Sequence, residues 1–389
     1  MTVLMLSAAH PLDDTRIVAK EGAALAAAGH RVVHLAPGTD PPRLLHGVEL
    51  RGSGAAPRGW RARIAAIPRL ARQAASLRPS VIHAHEPDSW LAARLAGWWC
   101  GARVVLDVHE HYPSRLDARL PRLLGPVARI ALATACRALA IGADAVVVAK
   151  DGLDGAFGGA ARCTPVRNYA ADPGLAPRRH AKGPLRLLHL GALGARRGAF
   201  TMLQVLARVP DARLVLVGRF TDGSEAAFDA LARTMDVADR VEKQGWLSRE
   251  AALAQAARCD VALVLFQPGV ENHRLALPHK LFDAMAIGLP VIVPDFATDV
   301  AAVVEDSACG IALDTGDAEA VAQAVQALAD PAARTAMGML GRAAALGRYG
   351  WDGEAARLVA LYDRLLPGPI ARPAAPQRVP AASPFPASA

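Results

Sequence analysis

Short aliphatic runs alternate with amphipathic stretches along most of this chain. The runs at residues 3–8, 31–36, 81–84, 103–108 and 145–149 read as strands, and so do those at 185–190, 213–217, 241–244, 261–266, 289–293 and 310–313. Helical periodicities lie between them, for example at 16–28, 121–141, 200–208, 249–258 and 318–328. Continuous Val/Leu runs are what strands buried on both faces require, and the intervening helices supply the crossovers of parallel sheets. The pattern restarts near Leu185, after AADPGLAPRRHAKGP. The expected fold class is therefore α/β, with two doubly wound, Rossmann-like domains facing a central cleft at the carboxyl ends of their strands. The expected divisions are an N-terminal domain over 1–170, a linker over 171–184 and a C-terminal domain over 185–348. A late helix over 349–367 would cross back toward the first domain, followed by a disordered Pro/Ala-rich tail over 368–389.

Composition narrows this picture. At 389 residues and 52% hydrophobic, the chain can fill two aliphatic cores. Its net charge of +8 is carried almost wholly by arginine, with only five lysines. Five scattered cysteines without a CxxC pair disfavour both a disulfide framework and a zinc site, and fit buried thiols in the cytoplasm. The first residues turn acidic at once, which reads as a first strand rather than a signal peptide. No apolar run reaches the roughly 18 residues of a membrane span. Residues 51–78 carry seven arginines, no acid, and Trp60, Ile64, Ile67 and Leu70. That pattern describes either a basic amphipathic helix on an anionic membrane surface or a solvated Arg-rich face. The expected location is cytoplasmic and peripheral on the inner face of the membrane. Aromatics do not interleave with the arginines, so nucleic acid is not expected as a partner.

The most informative stretch is ENHRLALPHKLFDAMAIGLPVIVPD, residues 271–295. Pro278 and Gly288 bracket a short helix, whose N-terminus favours an anion. Lys280 in its first turn opposes the helix dipole unless an anion sits nearby. Asp283, one turn on, suits vicinal hydroxyls. The alternative is an ordinary helix with an i,i+3 surface pair. Arg196-Arg197-Gly198 and Gly218-Arg219 stand at strand–helix turns, where a guanidinium can clamp a diphosphate or simply meet solvent. Gly245 would let backbone approach a flat ring. In the first half, Asp13 and Asp14 either cap a helix or touch acceptor hydroxyls. His83, His85 and Glu86 end one strand, and Asp107, His109, Glu110 and His111 end another. Without an HExxH helix, sugar positioning is favoured there over metal binding, and His83 also reads as a core residue.

Taken together, NHRLALPHKLFDAMAIGLPVIVPD, VVLDVHEHYP, DTRIVAKEGAALAAAGHRVVHLAP and GALGARRG resemble the retaining glycosyltransferases of family 4, which have the GT-B fold. The resemblance spans roughly residues 3–366. It implies transfer of a sugar from a nucleoside-diphosphate sugar to a glycan or lipid-linked acceptor hydroxyl, without metal or cofactor, UDP being favoured over GDP. His109 would touch the donor sugar, and Arg197 and Lys280 would hold the diphosphate. Asp283 would grip the ribose, as the second acid of the family's E-x7-E element. Gly191, Arg196, Arg219, Gly245, Trp246, Leu247 and Leu277 complete the implied donor site. Asp13, Asp14, His85, Glu86 and Glu110 form the implied acceptor side. The chain departs from the family at Asp283, one methylene shorter than Glu, and at Leu275, where the first acid would stand, with Glu271 further upstream. Ala192 and His279 also differ from the usual residues. Two other readings stay open: a GT-B nucleotide-sugar epimerase, and a non-catalytic nucleotide-sugar-binding partner of an assembly enzyme.

Overall fold

A computed structural model describes residues 1–113 and 125–366. The expected tail over 368–389, and residues 121–124 of the expected fourth helix, lie outside the described residues. The first sheet holds β1 (Thr2–Leu6), β2 (Arg31–Ala36), β3 (Arg43–Leu45), β4 (Val48–Gly52), β5 (Val81–Ala84), β6 (Arg103–Val108), β7 (Ala145–Val148) and β8 (Cys163–Pro165). The second holds β9 (Arg186–Leu190), β10 (Arg213–Val217), β11 (Val241–Gly245), β12 (Val261–Leu263), β13 (Val291–Pro294) and β14 (Gly310–Leu313).

The first sheet's order is β3-β4-β2-β1-β5-β6-β7-β8, and the second's is β11-β10-β9-β12-β13-β14. All pairs are parallel except β3–β4. The chain reverses its direction of travel beside β1 in one sheet and beside β9 in the other. Crevices open at such switch points, at the carboxyl ends of the strands. The hairpin β3–β4 was not expected. Its strands are short and partly charged, but His46 and Gly47 turn it, both with positive φ (52° and 79°) as a two-residue hairpin requires.

The first helix, α1, starts π-wound over Thr15–Gly22 and continues as α over Ala23–Ala27. In the first unit α2 (Gly59–Ser76), α3 (Pro87–Cys100) and α4 (Gly125–Ile141) follow. In the second come α5 (Ala199–Arg208), α6 (Glu225–Thr234), α7 (Arg249–Ala256), α8 (Glu271–Arg274), α9 (His279–Ala286), α10 (Thr298–Asp306), α11 (Ala318–Ala327) and α12 (Pro331–Leu346). The last described helix is α13 (Trp351–Leu365).

Strand alternation divides each core between two faces. Leu4 and Leu6 pack under α2, α3 and α4, while Val3 and Met5 pack under α1 and α13. Thus α13 leaves the second unit and returns to the first, burying Leu358, Leu361, Tyr362 and Leu365. The Tyr362 hydroxyl lies 3.0 Å from His83 Nδ1, so His83 is a core residue. In the second unit α9, α10 and α12 cover one face, with Phe282 and Met285 fully buried, and α5, α6 and α11 cover the other. Residues 171–184 lie against the second unit, where Arg178 pairs with Asp260 (3.0 Å) and Arg334 donates to the Ala181 carbonyl (2.7 Å).

Candidate active site

Between the carboxyl ends of the two sheets lies a cavity of about 690 Å³. The first unit contributes His10, Asp13, Asp14, Arg16 and His109 to its wall; the second contributes Gly191, Gly218, Arg219, Trp246, Leu247, Arg249 and Asp283.

On the first unit's side the organising group is Asp107, fully buried at the end of β6. Its Oδ2 accepts from His109 Nε2 (2.7 Å), Arg16 Nε (3.1 Å) and His85 Nδ1 (3.2 Å), and its Oδ1 from Arg16 Nη2 (3.0 Å). Burial opposes ionisation of Asp107, but Arg16 and the imidazoles outweigh it and hold the carboxyl well below its usual range. With its Nε2 proton committed to Asp107, His109 presents Nδ1 as the nitrogen able to accept from a ligand hydroxyl. Arg16 also reaches Glu21 (2.8 Å). The π winding of α1 hydrogen-bonds i to i+5 and so brings these two residues to one side. Burial pushes Glu21 above the usual carboxylate range, Arg16 opposes that shift, and the Asp107 charge adds to it. Glu21, His83, His85 and Asp107 bring candidate metal-ligand atoms within 4.8 Å of one another. Arg16, however, already lies against both carboxylates and supplies the local positive charge.

Asp14 caps α1, its Oδ1 accepting from the N–H groups of Arg16 (2.9 Å) and Ile17 (3.1 Å), and it pairs with His10 Nδ1 (3.1 Å). Burial lowers the His10 pKa, yet Asp14 and Glu86 more than compensate and bring it to about 9. Asp13 is exposed at the cavity mouth. Two expected acceptor-side residues need correction. Glu86 turns inward, accepting from the backbone of Ala8 (2.7 Å) and Ala9 (2.5 Å), so it braces the turn after β1 rather than facing a sugar. His85 is fully buried behind His109 and positions Asp107. Glu110 faces the cleft and accepts from Asn272 Nδ2 of the other unit (2.9 Å). It also borders a second, mainly apolar cavity of about 340 Å³, walled by Tyr112, Cys136, Leu153, Phe157 and Leu275. Leu275, standing where an acid was expected, is thus an apolar wall. Glu271, further upstream, pairs with Arg274 (2.7 Å).

The second unit's side is built differently. Lys280, in the first turn of α9, has its ammonium nitrogen 3.2 Å from His189 Nε2, which also contacts the Ala192 carbonyl (3.1 Å), and 5.8 Å from the centre of the Phe266 ring. Arg197 stands over the same ring, also at 5.8 Å. Among the described residues neither cation has a carboxylate within ion-pair distance. Burial, and for Lys280 the Arg197 charge, push both below their usual ranges. Gly191 and Gly218 let β9 and β10 end in close approach: a Cβ on Gly218, at φ 152°, would lie 1.8 Å from the Gly191 carbonyl oxygen. Arg219 stands over the Trp246 ring (5.1 Å), beside Gly245 and Leu247. Asp283 is not free, because its Oδ1 accepts from Arg249 Nη2 (2.8 Å). Arg196 is exposed and Leu277 packs against the second core; like Arg197 and Lys280, both lie outside the lining of the 690 Å³ cavity.

Sequence reasoning singled out Asp107 only as one of several strand-end residues for sugar positioning, and it missed Arg16, Glu21, Arg249 and the Lys20–His279 contact (3.0 Å) that joins the two units. Lys20 also donates to the Tyr169 carbonyl, and burial brings its pKa down to about 7. A run of Arg16, Lys20 and Glu21 in an otherwise apolar helix was the available signal.

Residues 15–158 match the family described as the glycosyl transferase 4-like domain, and residues 184–330 match the glycosyl transferases group 1 family. The chain is a group 1 glycosyltransferase of the GT-B fold. No curated protein sequence matches it. Among solved structures, this glycosyltransferase is similar to the sucrose-phosphate synthase from Thermosynechococcus elongatus (TM-score 0.74, 19% identity, covering 94% of this chain and 98% of that one). It is also similar to the Anabaena protein HepE in complex with UDP and glucose (TM-score 0.70, 15% identity, 94% and 100% covered). A third is the catalytic domain of starch synthase IV from Arabidopsis thaliana bound to ADP and acarbose (TM-score 0.65, 14% identity, 94% and 99% covered). At such identities the likeness establishes the fold alone.

Proposed function

We propose that this glycosyltransferase moves a sugar from a nucleoside-diphosphate sugar, UDP favoured over GDP, to an acceptor hydroxyl with retention of anomeric configuration. The acceptor is a glycan or lipid-linked glycan of polysaccharide or glycolipid biosynthesis. The observation that carries this reading is the Arg197–Lys280 pair: two neighbouring half-buried cations with no carboxylate in ion-pair distance among the described residues, Lys280 lying in the first turn of α9. Such a pair is costly unless a polyanion completes it. A diphosphate there would set the ribose toward Asp283 and Arg249 and the base toward Gly245, Trp246 and Leu247. The sugar would then lie under His109. UDP bound to HepE, a protein of the same fold, is in keeping with this choice of nucleotide.

The reaction is front-face substitution through an oxocarbenium-like transition state, with no metal required. Arg197, Lys280 and the α9 N–H groups stabilise the departing diphosphate, whose oxygen takes the acceptor's proton on the same face. Among the described residues Glu86 and Asp107 are both committed to internal partners, which disfavours the pair of flanking carboxylates that a double displacement would need. Calorimetry with UDP and GDP, followed by chromatography of donor plus acceptor, tests the proposal. Failure of both nucleotides to bind would refute it. A second reading, binding without turnover, is favoured by Arg249 engaging Asp283 and by the apolar Leu275. Tight UDP binding with no donor hydrolysis and no transfer would establish that reading instead.

A further inference from the structure

The layer formed by α2, α3 and α4 carries a surface that the transfer reaction does not use. The inner sides of these helices are spent on the first sheet, including Ile67 and Leu70 of α2. That burial corrects the expectation for residues 51–78, because half of the apolar stripe there is core. The outer sides nevertheless stay apolar. Trp60 (68% exposed) and Ile64 stand on α2, Trp98 (81%) and Trp99 on α3, and Val127 (70%) and Ile130 on α4.

Charge on the layer has one sign. Across the three helices there are seven arginines and one acid, Asp88, and Arg63 binds that acid bidentately (2.6 and 2.8 Å). Arg58 and Arg78 flank α2. Exposed indoles among arginines on helices that carry a single acid, with aliphatic side chains on the adjoining helix, match the headgroup zone of an anionic membrane. A second copy of the same face would set arginine against arginine, which disfavours a symmetric dimer. Nucleic acid would leave Val127 and Ile130 without a partner.

We propose that the outer surface of α2, α3 and α4 docks on an anionic lipid bilayer, with Trp60, Trp98 and Trp99 seated at headgroup level. Docking itself needs no donor and stands apart from the transfer reading. One consequence rests on that reading. The inner side of α4, through Ala133 and Cys136, walls the 340 Å³ apolar cavity that reaches Glu110 beside His109. A lipid-borne acceptor would therefore meet the cleft from the docked face.

Flotation of the full chain with phosphatidylcholine vesicles, with and without phosphatidylglycerol, tests the docking. The chain should float only with phosphatidylglycerol present and should be released by salt. Trp98→Ser/Trp99→Ser and Ile130→Glu should each cut partitioning by about tenfold or more, and Arg72→Glu by roughly fivefold. Unchanged thermal unfolding of these surface variants shows that the loss is not misfolding. Indifference to phosphatidylglycerol, or equal flotation of the tryptophan variant, overturns the proposal. So does a dimer in sedimentation velocity that the same substitutions abolish. A chain that floats as expected yet binds no nucleotide leaves the docking intact and removes the transferase reading alone.

Discussion

On the first unit's side of the cleft, Arg16 is bound by Asp107 and Glu21, Asp107 takes four donor contacts, and His10 is matched by Asp14. Across the cleft, Arg197 and Lys280 stand over one phenylalanine ring with no carboxylate among the described residues in ion-pair distance. An ion-paired network around one carboxylate fixes a side chain in one orientation, here His109 with its Nε2 proton committed. An open pair of cations keeps its charge for something that arrives. The first side holds geometry and the second holds affinity, so substitutions on the two sides should fail in different assays.

The largest effect is expected where the Asp107 network is broken. Asp107→Ala strands the buried Arg16 guanidinium and should lower unfolding stability by about 3–5 kcal/mol in urea titration. A loss within experimental error would show that Arg16 is not held as described. Next comes the open pair. Arg197→Ala or Lys280→Ala should cost about 3 kcal/mol or more in transition-state stabilisation, measured as kcat/KM, while the unfolding midpoint hardly moves. Turnover at the wild-type level in either variant would refute the assigned role.

Arg249→Ala should have an intermediate effect. It frees Asp283 but removes a charged hydrogen bond, and UDP affinity should change by about 1.5–3 kcal/mol with stability nearly constant. The smallest effect concerns His10. Its folded pKa of about 9 lies above the ordinary 6.5, so its pairing stabilises the fold fully below about pH 6.5 and is lost as pH rises through about 9. The stability difference between the wild type and His10→Gln should follow that window at about 1 kcal/mol. A difference that grew with pH would have the wrong sign.

The same contrast explains what could be read from the residues alone. Local signals carried the second unit's side: Pro278, Lys280, Asp283 and Gly288 lie in one loop–helix–strand segment, and Arg197 sits in a short turn. The alternating strand and helix pattern likewise foretold both sheets, because parallel strands buried on two faces announce themselves as Val/Leu runs. The first side's network was hidden because its members are far apart. Arg16 and Asp107 are separated by 91 positions, and a buried arginine spells like any surface arginine in a chain rich in them. Alternation placed His83 and His85 on one face of β5 but could not say that this face was the interior. Glu86 was misread because nothing local reveals a side chain folding back onto the turn after β1.

Cocrystals with UDP examine the open pair most directly. The β-phosphate should lie between the Lys280 ammonium and the Arg197 guanidinium, at the first N–H groups of α9, with the ribose against Asp283. A diphosphate held instead by His10 and Arg219, with Lys280 still against His189 and no phosphate oxygen, would contradict the account.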